Sequence, residues 1–280
     1  MTLRLLNFGC GMAFHPGWVN LDSSADFPGV IRHDLRRGLP FADESFDAVY
    51  GSHVLEHLEP AAGARLLREC HRVLKAAGIA RIVVPDLEAI AKLYLESLAQ
   101  AAAGDVGAAF RYDWAMLELY DQSVRTASGG RMASCLNRHL DEREARFVED
   151  RIGAEAMQLS HGVFPVRRAP LQRVLRRLRS AARALRTHAA SACAWLFLGR
   201  EGAAALREGQ FRRSGEVHLH MYDRFSLKRA MELAGFAEVR SCTAGESGIP
   251  DFARHGLEVQ NGQPRKPDSI YLEGHKTRAA

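Results

Sequence analysis

The residues whose types and spacing could do chemistry begin with Gly9-Cys10-Gly11 and the carboxylate of Asp22, 13 positions after Gly9 (22 − 9). Glycine lets the backbone approach a ligand closely, and a carboxylate that ends the next apolar run can accept from a pair of ribose hydroxyls. Phe14 stands where a dinucleotide motif has its third glycine, and 13 positions are too few for a full helix between two strands. The pattern favours a nucleotide-like ligand without a pyrophosphate, although a simple tight turn would also place two glycines here.

The strands and helices that would position these residues alternate at both ends of the chain. Apolar runs predict strands over 3–8, 19–22, 30–31, 46–50, 79–84, 236–240 and 269–273. Helical spacing of apolar residues predicts helices over 59–77, 87–98 and 224–234, the last capped by Asp223. This alternation favours an α/β fold with a parallel sheet and helices on both faces.

The middle of the chain, 104–215, has helical patches and no clear strand. It predicts a helical insertion that separates the two parts of a cofactor-binding α/β domain, 1–103 and 216–280. Open α/β sheets bind ligands at the carboxyl ends of their strands. An insertion that follows such an end would act as a lid, so we expect the acceptor site beneath it.

Composition predicts an ordinary soluble protein. The 280 residues are 47% hydrophobic and 25% charged, and no apolar run approaches the roughly 20 residues that span a bilayer. The N-terminus has no signal-peptide pattern, and the five scattered cysteines predict reduced thiols rather than disulfides or a zinc site. We therefore expect a cytoplasmic location.

Seven short motifs follow one another within the first 93 residues. They are Asn7-Phe8-Gly9-Cys10-Gly11, Asn20-Leu21-Asp22, His33-Asp34-Leu35, Leu39-Pro40-Phe41, Ser45-Phe46-Asp47, Ser52-His53-Val54-Leu55-Glu56-His57 and Arg72-Val73-Leu74-Lys75. In this order they resemble class I S-adenosylmethionine-dependent methyltransferases, in particular the methyltransferase-11 type. The resemblance implies S-adenosylmethionine as cofactor, S-adenosylhomocysteine as product, and a Rossmann-like seven-stranded methyltransferase sheet.

The same resemblance assigns the expected cofactor contacts. It implies that the turn packs against the methionyl and ribose portion, that the next two strands end on the ribose and adenine contacts, and that the fourth strand ends beside the sulfonium. The turn consists of Phe8, Gly9, Cys10 and Gly11, and the ribose contact is Asp22. The adenine contacts are Asp34 and Leu35, and the residues beside the sulfonium are Ser52 and His53. Many class I enzymes carry an acidic residue where this chain has Asn7, so a contact to the cofactor's amino group is not implied.

Five motifs in the rest of the chain carry a narrower resemblance. They are Gly129-Gly130-Arg131-Met132, Arg151-Ile152-Gly153-Ala154-Glu155, His220-Met221-Tyr222-Asp223-Arg224-Phe225-Ser226-Leu227, Ser247-Gly248-Ile249-Pro250 and Lys266-Pro267-Asp268-Ser269. They are similar to segments of bacterial methyltransferases from polysaccharide and surface-glycan loci, which implies O-methylation of a sugar or glycan hydroxyl. Two alternatives stay open: methylation of a small natural product or amine, and a non-catalytic, cofactor-binding scaffold in a glycan assembly complex.

Histidines supply the candidate catalytic groups, since a hydroxyl acceptor must lose a proton to a base of near-neutral pKa. His53 and His57 follow the fourth predicted strand, and His220 lies just before the last helix; these three are the predicted catalytic residues. His57 also fits a role as a brace for the helix after it. His218, His220 and Tyr222 would share one side of an extended segment and could bind acceptor or metal. With no third metal ligand in view, we predict no metal site.

The net charge of +5 is concentrated in one segment, because 12 Arg and 2 Glu lie over 165–213. Over 167–198 apolar and arginine residues fall on opposite sides of a helix. This predicts a helix on an anionic membrane surface, with Trp195-Leu196-Phe197-Leu198 as its anchor. A helix packed on its own domain also fits, and nucleic acid is not expected as a partner because interleaved aromatic residues are missing.

Overall fold

A seven-stranded sheet organises the molecule. The computed structural model describes residues 3–23, 27–160 and 170–277, and the side chains of all of these except 154–160 and 170–184. The strands are β1 Leu5–Phe8, β2 Val19–Asp22, β3 Val30–Arg32, β4 Phe46–Ser52, β5 Leu74–Pro85, β6 Phe236–Cys242, β7 Val259–Gln260, β8 Gln263–Pro264 and β9 Ser269–Lys276. The sheet order is β3-β2-β1-β4-β5-β9-β6, and β7 pairs with β8 in a separate hairpin. The seven predicted strands and the predicted fold class are confirmed.

Only β9 runs against the other strands of this sheet. It pairs antiparallel with β5 on one side and β6 on the other, whereas β1 to β5 pair in parallel. The start of β9 therefore lies at the same edge as the carboxyl ends of the parallel strands. Residues just before β9 can reach a ligand bound at that edge.

Helices connect the strands and fill the middle of the chain. They are α1 Pro60–Val73, α2 Leu87–Ala102, α3 Val106–Met116, α4 Gln122–Val124, α5 Gly130–Leu136, α6 Glu142–Ser160, α7 Pro170–Arg212 and α8 Arg224–Leu233. Asp223 caps α8 as predicted, since its side chain accepts from the backbone amides of Phe225 and Ser226. A π-helical turn, Leu117–Asp121, follows α3.

Helix α1 is shorter than predicted. Apolar residues continue at helical spacing as far as Ala77, but the helix ends at Val73 and the chain enters β5 at once. Leu74 already pairs with Phe46 of β4, and the register shifts before the next pair, Ala48 with Ile79. Strand pairing therefore overrides the helical spacing here.

The core lies on both faces of the sheet, because successive side chains of a strand point to opposite faces. Leu6 of β1 packs with Leu66 and Met231 in the cluster under α1 and α8. Leu5, one residue earlier, packs with Trp18 in a second cluster, which the segment after β6 covers. This double burial explains why the strands are continuous apolar runs.

The predicted insertion contains helices with a core of their own. Trp114 and Val148 are fully buried in a cluster that also includes Leu136. Trp114 donates to the buried Glu118 at 2.6 Å, and Arg151 of α6 pairs with the same carboxylate at 2.6 Å. The domain limits at 104 and 215 stay predictions.

Helix α7 extends away from this core in its described part. Leu185 is 71% exposed, and the exposed fractions of Trp195 to Leu198 run from 61% to 79%. The predicted surface helix over 167–198 begins outside the described residues, and most of its arginine and leucine stripe has no described side chains. No helix among the described residues is both long enough and apolar enough to cross a bilayer.

Candidate active site

The turn after β1 is held in an open, left-handed shape. Gly9 has φ +65° and Gly11 has φ +50°. A Cβ on Gly9 would collide with the side chain of Val54, whereas a Cβ on Gly11 would project into space with no atom within 4 Å. The amide of Gly11 donates to Asp22 Oδ2 at 2.9 Å. The turn therefore leaves a cradle beside a carboxylate.

A cleft of about 790 Å³, open mouth included, lies at this edge of the sheet. Its walls come from the turn after β1, the end of β4, helix α6 and the segment before β9. Asn7, Ser52 and His53 line it on the sheet side. Asn7 braces the turn, because its side-chain amide donates to the backbone oxygen of Ala13 at 2.9 Å.

The opposite wall is basic. Arg265 and Lys266 line the cleft, and Lys266 Nζ lies 3.3 Å from Ser52 Oγ. Burial lowers the pKa of Lys266. Sequence reasoning missed both residues as site residues, because the antiparallel direction of β9, which brings its start to this edge, leaves no local pattern in the sequence.

Helix α6 reaches the cleft through a close backbone contact. Ile152 lines the cleft, and the next residue, Gly153, has φ +81° and interrupts the helix. A Cβ at Gly153 would collide with the backbone oxygen of Arg265. Only glycine allows this approach without displacing the segment before β9.

His53 is the predicted catalytic histidine that lies in the cleft. Its backbone has φ +55°, in the left-handed region. Nε2 lies 2.7 Å from Ser269 Oγ and Nδ1 lies 3.5 Å from Glu56 Oε1. Burial, with a smaller effect of Lys266, lowers the pKa of His53 well below its usual range. The ring is therefore a neutral imidazole near pH 7.

A buried cluster lies behind His53. Glu56 is fully buried, and neither carboxylate oxygen has a hydrogen-bond partner among the described residues. Its ligand atoms and those of His57 and His218 lie within 4.8 Å of one another. Burial raises the pKa of Glu56 to about 8 and lowers those of His57 and His218 to about 4 and about 3.

Other predicted site residues lie away from the cleft walls. Phe8 is buried in the core, and Leu35 packs against the same core. Asp34 caps the 3₁₀ turn that follows it, and both carboxylate oxygens bind Arg36 at 2.9 Å, which lowers the pKa of Asp34. His220 packs on Tyr222 in a separate groove between α1 and α8. Their functional roles stay predictions.

The decisive comparison is with a family model. Residues 7–82, which contain the end of β1, the glycine turn and β2 to β4, match the model described as a methyltransferase domain. The chain carries a class I S-adenosylmethionine-dependent methyltransferase domain. Its cofactor is S-adenosylmethionine. No curated protein matches the sequence.

The solved structures that the chain matches are distant in sequence. An S-adenosylmethionine-dependent methyltransferase from Thermotoga maritima is 14% identical, with 98% of this chain and 83% of that chain covered and a TM-score of 0.38. One from Archaeoglobus fulgidus is 13% identical (98% and 86% covered, TM-score 0.37). One from Mesorhizobium loti is 15% identical (98% and 91% covered, TM-score 0.36). The identification does not depend on them.

The residues at the cleft fit the cofactor. The open space at Gly11 is what a close-lying ligand requires, and the neighbouring Asp22 offers a carboxylate for ribose hydroxyls. The cofactor supplies a methyl group already activated on a sulfonium, so the protein has mainly to align the acceptor and exclude water.

Proposed function

We propose that this methyltransferase methylates a hydroxyl oxygen of a sugar or surface glycan. The observation that carries the proposal is the position of the His53 imidazole in the wall of the cofactor cleft, between Ser269 and Glu56. A neutral imidazole can accept a hydroxyl proton, and a second group usually orients a base of this kind. Ser269 holds Nε2 of the ring, and the Glu56 carboxylate lies beside Nδ1.

Polar groups in the cleft wall favour a hydroxylated acceptor. Ser52, Arg265 and Lys266 present donors around the cleft, while Ile152 adds one apolar contact from the insertion. A sugar offers several hydroxyls that such donors can orient for in-line transfer. His53 Nε2 would take the proton that the attacking hydroxyl loses when that hydroxyl replaces Ser269 Oγ at the ring, and the Glu56 carboxyl beside Nδ1 would accept from the imidazolium that forms.

A panel of acceptors with a deuterated methyl donor tests this function. We expect labelled methyl on the hydroxyls of sugars or glycans, read by mass spectrometry. His53→Ala should lower the transfer rate by at least about 100-fold, because it removes the base. His139→Ala is the matched control, since His139 is exposed. Label found only on amines or small natural products would show that the acceptor is not a sugar. Full activity of His53→Ala would show that His53 is not the base.

We also propose that α7 binds the anionic surface of the cytoplasmic leaflet, which would bring a lipid-linked glycan to the enzyme. Four consecutive exposed apolar residues, Trp195 to Leu198, support this, together with the 12 Arg over 165–213. The arginines would attract the lipid headgroups, and the apolar residues would enter the interface.

Co-sedimentation with vesicles checks the membrane contact. The full chain should pellet with anionic vesicles at low salt and stay in solution with neutral vesicles, because attraction between exposed charges is screened as salt rises. The double variant Trp195→Ser/Phe197→Ser should reduce pelleting at least about threefold, while Val106→Ser, another exposed apolar residue, should not. Absence of pelleting at low salt would contradict the proposal.

A further inference from the structure

We propose that Glu56, His57 and His218 form a binding site for one divalent transition-metal ion, with Zn²⁺ as the best fit. The site lies behind the cleft, and the proposed methyl transfer uses one of its three residues, Glu56, beside His53. The three residues are 162 positions apart at their extremes (218 − 56), so only the fold brings them together.

Two backbone segments deliver the ligands. Glu56 and His57 lie on the 3₁₀ turn Leu55–His57 after β4. The segment that carries His218 is attached to that turn, because the amide of Leu219 donates to the backbone oxygen of Glu56 at 2.6 Å. The amide of His218 is bound to the backbone oxygen of Gln122 at 2.9 Å. The spacing of the ligands is therefore set by backbone hydrogen bonds.

Buried polar atoms without partners point into this cluster. Both oxygens of the fully buried Glu56 and Nδ1 of His218 lack hydrogen bonds among the described residues. A buried polar group without a partner costs about 1–3 kcal/mol, and more when it is charged. A cation bound to these atoms would satisfy all three and would balance the carboxylate charge.

The imidazole of His57 is already oriented for a metal. Its Nδ1 lies 3.3 Å from the backbone oxygen of Val217, which leaves Nε2 facing Glu56 Oε1 at 4.0 Å. Metal-binding histidines usually donate their other ring nitrogen to a backbone carbonyl or carboxylate in this way. Its ring meets that of His218 edge to face, with centroids 4.8 Å apart.

The donor set selects the type of ion. Two imidazole nitrogens and one carboxylate oxygen suit Zn²⁺ and its neighbours, whereas Mg²⁺ and Ca²⁺ prefer oxygen ligands. Tetrahedral zinc bonds of about 2.0–2.2 Å place ligand atoms about 3.4 Å apart, so the present 4.8 Å must contract on binding. A set of three protein ligands leaves a fourth position for water or an acceptor oxygen.

One residue connects the cluster to the cleft, and two positively charged side chains lie near the cluster. His53, which lines the cleft, also approaches Glu56 Oε1 at 3.5 Å. Arg125 and Lys266 are positive charges close enough to His57 to interact with it. We therefore expect a single site whose affinity is weaker than that of a fully anionic zinc site.

Metal binding can be measured without any methyl acceptor. Chelator-treated full-length protein carrying Cys193→Ser, which removes an exposed thiol, is titrated with Zn²⁺ alone against a chromophoric chelator. Co²⁺ titration then reports the ligand type by its visible absorption. We expect one equivalent bound, no thiolate charge-transfer band, and a rise in Tm with Zn²⁺ that Mg²⁺ does not reproduce.

Three variants identify the ligands. Glu56→Gln and His218→Ala should each weaken Zn²⁺ binding by at least about 100-fold, since loss of a mere supporting contact costs 10–100-fold. His220→Ala is the matched control on the same segment, because the ring of His220 packs on Tyr222 instead. Circular dichroism and S-adenosylmethionine affinity verify that each variant is folded. If one of the two ligand variants is not folded, the other ligand variant decides the test.

The outcomes separate this site from the proposed function. No stoichiometric binding by the parent protein, unchanged affinity in both ligand variants, or equal loss in His220→Ala would each overturn the metal site. A protein that binds Zn²⁺ but methylates no sugar would retain the metal site and lose the glycan assignment.

Discussion

Gly11→Arg is expected to abolish S-adenosylmethionine binding, with a loss of affinity of at least about 100-fold. The new side chain would enter the space beside the turn, where no atom now lies within 4 Å. Filling a packed ligand site costs about 1–3 kcal/mol or more, and each 1.4 kcal/mol is about a tenfold change in affinity. Isothermal titration calorimetry with S-adenosylmethionine and with S-adenosylhomocysteine measures the effect.

Gly104→Arg controls for the cost of the left-handed backbone. Gly104 has φ +94° and also has open space around it, but it lies after α2 and outside the cleft. This variant should bear the backbone cost of a non-glycine residue, about 1–2 kcal/mol, and keep its cofactor affinity within about twofold. Equal affinities in the two variants would show that the cofactor does not lie against Gly11.

Glu273→Ala should cost about 3–5 kcal/mol in the free energy of unfolding, because it leaves a buried charge without its partner. Arg81 of β5 and Glu273 of β9 are both fully buried and pair at 2.8 Å. The carboxylate also accepts from Ser247 Oγ and the Gly248 amide. The variant would strand the Arg81 guanidinium and release the segment after β6.

Urea unfolding followed by circular dichroism measures this loss. Glu232→Ala is the matched control, since Glu232 is half exposed and its pair with Lys228 of α8 spans 3.8 Å. An exposed pair of this kind contributes about 0–1 kcal/mol. A cost of less than about 1 kcal/mol for Glu273→Ala would mean that the ion pair stabilises the sheet no more than the surface pair does.

Local sequence patterns predicted much of the fold and part of the site. Continuous apolar runs predicted all seven strands, because strands buried on both faces need apolar residues throughout. The Gly9-Cys10-Gly11 turn and Ser52-His53 were predicted as a ligand site, and the structure lines one cleft with them. Asp22 was predicted at the turn, and it contacts the Gly11 amide.

One local prediction was overridden by a distant contact. The helical spacing after residue 59 continued past Val73, but Leu74 pairs with Phe46 of β4. The predicted role of Asp34 at the adenine stays a prediction; in the structure its carboxylate binds Arg36 beside it. Apolar spacing and motif order do not show the energetic contributions of strand pairing and local charge.

The sequence alone determined the methyl donor, because the turn and the motifs after it lie close together in the chain. Only the tertiary structure brought Lys266 to the cleft and His218 to Glu56. The first depends on the antiparallel direction of β9, and the second on backbone hydrogen bonds between segments about 160 residues apart. Such contacts leave no local pattern in the sequence, so the positions of Lys266 and His218 could be learned only from the fold.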